Sequence, residues 1–226
     1  MPEAMEKTSA AHGSEAEARP HWERTSYTFA LLLMALGTLG SSWCGYQSSL
    51  WDGRQTFALM DASALGRQAN EKDIFANQQR GLDAALFVEF ARNLTEGKTQ
   101  LNEFFLARMR PALREAIQAW AATRPLKNPA APPTPFVMPQ YRVQAEIEAK
   151  ELYVHSQALY DQARKANMTS DIYTLLTVLY TAGLFLAGLV SGFDDRRMRR
   201  MILMLSFGVS LVATAMLSRL PIASLG

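Results

Sequence analysis

Cysteine is almost absent. One Cys in 226 residues excludes a disulfide framework within the chain and any site built from several thiolates. Histidine is scarce too, with three in all. His12 and His21 fall in a polar N-terminal stretch, and His155 stands beside Ser156 in a helical pattern where a surface or packing role is the ordinary one. There is no excess of one charge: 23 Lys+Arg against 21 Asp+Glu leave +2, which argues against a nucleic-acid binder. Neither a Gly-rich phosphate loop nor an HExxH, GxSxG or paired-Cys motif occurs. Glu146, Glu148 and Glu151 lie close together, but in a Glu/Lys-rich helical segment such residues are usually solvated. The sequence therefore points to no enzyme, no metal and no cofactor.

The most telling absence is local. No Asp, Glu, Lys or Arg occurs in residues 25–51, 172–193 or 201–218, gaps of 27, 22 and 18 residues. Crossing about 30 Å of hydrocarbon takes about 20 mostly apolar residues in a helix. Three such runs predict an all-α integral membrane protein. Its transmembrane helices are placed at residues 25–50, 171–193 and 201–220, with a helical extracytoplasmic domain at 51–170 between the first and second.

Lys/Arg bias in short loops sets orientation. The segment 194–200 carries Arg196, Arg197, Arg199 and Arg200, so it is expected in the cytoplasm as the topology-determining loop. The tail 1–24, expected to be disordered, would then be cytoplasmic, with residues 52–171 and the C-terminal 221–226 outside. Trp43, Tyr46, Trp51 and Tyr173 fit an aromatic belt at the outer interface. A cleaved signal peptide is an alternative for the first span, since Gly40-Ser41-Ser42 supplies small residues. A lipoprotein site at Cys44 is disfavoured by Trp43 immediately before it. Unpaired in its own chain, Cys44 is expected to form a disulfide only between two chains.

Periodicity fills in the outer domain. Phe57, Met60 and Ala64, then Leu82, Leu86, Phe87, Phe90 and Leu94, have helical spacing. Leu101, Phe104, Phe105 and Met109 follow, and Leu113, Ile117 and Trp120 after Pro111. Gly97 is expected to end the first long helix, and Pro111 to kink the second or begin a new one. The first outer helix is expected to continue straight out of the first span, from Tyr27 to Leu94, and a break near Gly45 or Gly53 is equally allowed. Six prolines in residues 125–139 predict a non-helical connector. Tyr141, Ala145, Leu152, Leu159 and Ala166 approach heptad spacing in a last outer helix. Thr169, Ser170 and Asp171 then suggest an N-cap for the second span.

Within the spans no ionisable residue marks a transport path. Small and hydroxylated residues instead stand at helical spacing: Gly37, Ser41 and Gly45 on the first span, and Gly183, Ala187 and Gly188 on the second. Ser206, Ser210 and Thr214 form the row on the third. Such rows let helices approach and hydrogen-bond, so they are the expected helix-packing residues, within one chain or between chains. A hydroxyl-lined pore is the alternative. Outside, Arg108, Arg110 and Arg114 cluster around Pro111, as an anion or headgroup site or as a solvated face paired with Glu103 and Glu115.

Taken together, Trp43-Cys44-Gly45-Tyr46-Gln47 with Trp51, Arg124-Pro125-Leu126-Lys127-Asn128-Pro129, Pro135-Phe136-Val137-Met138-Pro139-Gln140-Tyr141, and Ala166-Asn167 before Ser170-Asp171 carry a likeness. The chain resembles a group of uncharacterised bacterial inner-membrane proteins with three spans and a helical periplasmic domain. The resemblance implies an inner-membrane location and no activity. The function expected from the residues is a non-enzymatic membrane subunit or scaffold. Its partners would be the lipid bilayer and either further copies or other membrane subunits. An extracytoplasmic ligand or stress sensor acting through a partner, and a channel or transporter component, are the alternatives.

Overall fold

A computed structural model describes residues 21–224, and every described element is helical. Helix α1 spans His21–Thr95, α2 Thr99–Arg108, α3 Pro111–Ala122, α4 Gln144–Leu189 and α5 Arg196–Leu217, with single 3-10 turns at Pro135–Val137 and Val190–Gly192. The segments Arg24–Thr95, Gln144–Gly192 and Arg196–Leu217 are each long and apolar enough to cross a membrane. The tail expected at residues 1–24 lies largely outside the described residues.

The helix ends follow from local chemistry. Gly97, at φ +70, lets the chain turn after α1, the left-handed position glycine occupies without a Cβ penalty. Pro111 occupies the first turn of α3, where its missing N–H costs nothing. The 125–139 connector is irregular apart from its one 3-10 turn. Arg124 ends α3 at φ +51, the only positive φ of a described non-glycine residue. That conformation costs an L-residue about 1–2 kcal/mol.

One break that the sequence left open and one that it predicts do not occur. α1 passes through Gly45 and Gly53, both of which face open space. One helical glycine costs only about 1 kcal/mol against alanine, and long helical flanks absorb it. Likewise α4 does not begin at a Thr169-Ser170-Asp171 cap but runs through it. Thr169 Oγ1 donates to Lys165 O at 2.9 Å, one turn back along the same helix, and Ser170 faces α1. The segment 194–200 is only partly a loop, because Asp195 caps α5 by accepting from Arg197 N at 3.0 Å.

The chain forms two compact units. One comprises the described residues up to Gln55 with those from Arg164 onward, and the other is Thr56–Ala163. In the first unit α1, α4 and α5 share two apolar clusters. One centres on Ala30, Leu33, Ala187, Val190 and Leu203, the other on Cys44, Tyr173, Leu176, Tyr180 and Ala213. In the second unit α1 lies antiparallel to α4, and α2 and α3 close over Phe90, Met109, Leu113 and Ile117.

The register of the helix pair in Thr56–Ala163 is set by small side chains. Ala62, Ala69 and Ala76 are buried at seven-residue intervals on α1, and Ala149, Ser156 and Ala163 at the same intervals on α4. Seven-residue recurrence keeps one seam facing the partner helix. With alanine and serine in the seam the backbones approach closely enough for Ser156 Oγ to donate to Ala62 O at 2.8 Å. The larger side chains whose spacing predicted helices, Phe57, Met60 and Leu82 among them, are exposed.

Candidate functional site

The small-residue rows meet one another inside the chain. A Cβ on Gly37 would stand 3.1 Å from Leu184 Cβ and 3.2 Å from Tyr180 O. A Cβ on Gly40 would strike the Tyr180 ring at 2.7 Å. Ser41 Oγ lies 3.4 Å from Thr181 Oγ1. Two turns further along the seam, the Ser48 hydroxyl sits 3.0 Å from Ser170 Oγ and 2.9 Å from Thr174 Oγ1. These contacts join α1 to α4.

α5 joins through Gly183. Ser206 Oγ donates to Gly183 O at 2.7 Å, and a Cβ on Gly183 would fall 2.8 Å from Ser210 Oγ. The buried Ser210 hydroxyl has no hydrogen-bond partner among the described residues. Thr214 Oγ1 donates to Ser210 O at 2.8 Å and meets Tyr180 OH at 2.9 Å. Ala187 is buried in the core, a Cβ on Gly188 would meet only Met34 Cε at 3.9 Å, and Gly45 meets nothing.

The four aromatics at the expected outer boundary divide into two pairs. Trp43 and Tyr46 are exposed, their ring centroids 6.0 Å apart. Trp51 and Tyr173 instead hold the segment that follows α5: Trp51 Nε1 and Tyr173 OH each donate to Pro221 O at 3.2 Å. Buried Gln47 completes the clamp. Its Nε2 donates to Ala223 O at 3.2 Å and its Oε1 accepts from Ala223 N at 2.8 Å. Arg54 donates to Ser224 O at 3.0 Å. An amide with one donor and one acceptor reads an extended backbone as a neighbouring strand would. Hydropathy and charge do not single Gln47 out.

Cys44 is fully buried between Tyr173, Leu176, Tyr180 and Ala213. The disulfide between chains allowed by its position in the sequence therefore has no accessible thiol in this fold.

Of the four arginines expected to set the topology, Arg199 is buried. Its Nε donates to Phe193 O, and its guanidinium lies 5.2 Å from the Tyr27 ring centroid. Arg196, Arg197 and Arg200 are exposed.

Nor do Arg108, Arg110 and Arg114 act as one cluster. Arg108 stacks 3.6 Å over the Phe104 ring. Arg110 makes a two-pronged ion pair with buried Asp83, its Nε donating to Oδ1 at 3.2 Å and its Nη2 to Oδ2. Tyr141 OH also donates to Asp83 Oδ2, at 2.9 Å. Burial first, and then that hydrogen bond and the Asp83 charge, push the Tyr141 phenol well above its ordinary value. Arg114 lies half-buried on α3.

Of the three glutamates Glu146, Glu148 and Glu151 on α4, the first two are held in ion pairs. Glu146 is held by Lys150 and Arg80, and Glu148 by Lys72. Glu146 ionises more readily than usual, chiefly through the Lys150 hydrogen bond, and Glu148 does so through Lys72. His155 is exposed. No group of three or more His, Cys, Asp or Glu among the described residues stands where it could hold a metal ion.

The fold and its contacts thus define an all-helical chain with three membrane-length helices. Comparison with known proteins finds no matching family, curated protein or solved structure.

Proposed function

We propose that the chain is a non-enzymatic, multi-pass subunit or scaffold of a bacterial inner-membrane complex. In this reading its N-terminus and the 194–200 arginines are cytoplasmic, and Thr56–Ala163 is displayed outside as a helical domain with the C-terminus. One observation carries the reading. Phe57, Met60, Phe75, Leu82, Tyr153 and Val154 are exposed on Thr56–Ala163, a unit whose charged residues suit water and not hydrocarbon. By helical spacing Phe57, Met60, Phe75 and Leu82 share one face of α1, and an apolar face in water ordinarily marks a protein contact. Because the Gly37, Ser41, Gly183 and Ser206 contacts are made within the chain, association falls to these outward faces.

Native electrophoresis and crosslinking from membranes in mild detergent test the reading, which expects a particle of more than one subunit. A lone monomer under all conditions overturns it. Labelling of Arg197→Cys from the cytoplasmic side only, and of Gln78→Cys from the opposite side only, is expected in a Cys44→Ala background. The reverse pattern inverts the topology.

The sensor reading is favoured by a separate feature. α1 and α4 each contribute to both compact units without interruption, and an unbroken helix can carry a shift of register or tilt. Such a sensor needs a partner for output. Against the pore reading, the Ser206 and Thr214 hydroxyls are occupied by Gly183 O, Ser210 O and Tyr180, which leaves Ser210 alone of that row without a bonded hydroxyl.

A further inference from the structure

In the Thr56–Ala163 unit, a cleft of about 390 Å³ opens between the end of α1, the end of α3 and the loop after it. Phe90, Leu94, Trp120 and Leu126 give it apolar walls, and Arg124 and Lys127 stand at its edge. Its size and mostly apolar lining with few polar groups suit a small ligand.

Three features single it out. First, Trp120 is fixed by its indole N–H, which donates to Pro132 O at 2.8 Å, so one wall is rigid. Second, Leu126 is 81% exposed beside the apolar walls, an arrangement that leaves apolar surface uncovered. Third, neither Arg124 nor Lys127 has a carboxylate partner among the described residues.

The backbone adds to this. α1 ends with Gly97 in the left-handed region, whereas α3 places Arg124 there, where glycine would be the unstrained choice. Lys127 N and Asn128 N both donate to Arg124 O at 2.9 Å, which folds the Lys127 backbone back onto that of Arg124. A strained non-glycine residue held in place by its surroundings is a recurrent mark of a binding position.

We propose that this cleft binds a single-chain amphipathic anion. Its apolar tail lies against Phe90, Leu94, Trp120 and Leu126, and its headgroup is paired by Arg124 and Lys127. Arginine offers a planar fork to a carboxylate or phosphate, and lysine adds a point charge. This goes beyond the scaffold reading and does not depend on it.

The test uses the full chain in zwitterionic nanodiscs, with saturation-transfer NMR on octanoate, octyl phosphate and neutral octanol against empty discs. Saturable binding of at least one anion is expected, about tenfold tighter than octanol, as one charge-assisted hydrogen bond implies. Preference for octanoate identifies a carboxylate ligand, and preference for octyl phosphate a phosphate one. Both support the site. Arg124→Gly and Lys127→Gln should each weaken the anion about tenfold. The first should also raise the melting temperature, because glycine relieves the backbone, so a loss of binding cannot be put down to unfolding.

The competing explanation is that the two cations merely offset the negative ends of α1 and α3. In that case Lys127→Gln lowers the melting temperature and leaves anion binding unchanged. That outcome, or anion binding no better than octanol or empty discs, overturns the proposal.

Discussion

Removing Arg110 should damage the Thr56–Ala163 unit more than removing Asp83, although both substitutions break the same ion pair. The Asp83 side chain is 2% exposed and that of Arg110 33%, so the two deletions strand very different charges. Arg110→Ala leaves a carboxylate in the interior with one phenolic donor, Tyr141. Breaking a buried pair by removing one partner costs about 3–5 kcal/mol, and the lower end applies here because Tyr141 remains. Asp83→Ala leaves a guanidinium that can turn to water and a phenol without its acceptor, a loss of about 1–2 kcal/mol. Hydrogen exchange on the full chain in nanodiscs reads the difference in the amides of α3, which Arg110 precedes. Exchange through local opening gains about tenfold per 1.4 kcal/mol. Arg110→Ala should therefore speed α3 exchange about a hundredfold and Asp83→Ala about tenfold. Arg110→Lys should fall between them, because lysine keeps the charge and loses the fork. Equal acceleration by the two alanine variants, or greater acceleration by Asp83→Ala, would refute the assignment of Asp83 as the desolvated member.

Gly183→Ala should loosen α5, since the new Cβ would stand 2.8 Å from Ser210 Oγ. Ser210→Ala should restore the packing in the double variant and be neutral or slightly stabilising alone, because it removes a buried hydroxyl without a partner; detergent-unfolding midpoints read all three. Gln47→Leu should free the segment from Pro221 to Ser224, seen as faster exchange at Ala223 N, whose acceptor is lost; protection equal to wild type would show that Trp51, Tyr173 and Arg54 suffice. Acidification should weaken Thr56–Ala163: a carboxyl whose folded value is lowered adds stability above its unfolded value, so the Glu146 and Glu148 contributions are lost as pH falls below 4.5. At the alkaline end the Tyr141 shift is upward, so its contribution is complete below 10.0 and declines above it; the Tyr141→Phe variant should lose that alkaline slope in a pH series of exchange rates.

The three apolar helices were legible because a charge in hydrocarbon is costly, so its absence over a span is a strong signal. The ends of α1 and α3 were legible from Gly97 and Pro111, whose backbone chemistry allows few alternatives. The Ala62, Ala69, Ala76 seam was not, although its seven-residue spacing is in the sequence. A search for large apolar periodicity finds Phe57, Met60 and Leu82 instead, and these face outward. In an antiparallel pair this close, the buried positions must be small, so size and burial are inverted. The Asp83 site stayed hidden for a different reason. Its partners Arg110 and Tyr141 are 27 and 58 residues away, and a single buried carboxylate reads like any surface charge until the fold brings them together. Thr169-Ser170-Asp171 misled because a hydroxyl that caps a helix in one setting bonds one turn back or packs across a seam in another.

That inversion of size and burial also decides where a partner should be sought. Exposed leucines on the apolar part of α1, such as Leu31, Leu36 and Leu39, need no protein cover if they face lipid, because acyl chains are as apolar as they are. Phe57 and Met60 on the charged unit have no such cover from the solvent. Exchanging both for glutamate should lower the mass of the native particle while leaving helicity by circular dichroism intact, because neither side chain contributes to the alanine seam. Leu31 and Leu36, exchanged for alanine as controls, should leave the mass unchanged. If the Phe57→Glu and Met60→Glu chain keeps its full native mass, the exposed outer stripe is not the contact that holds the complex together.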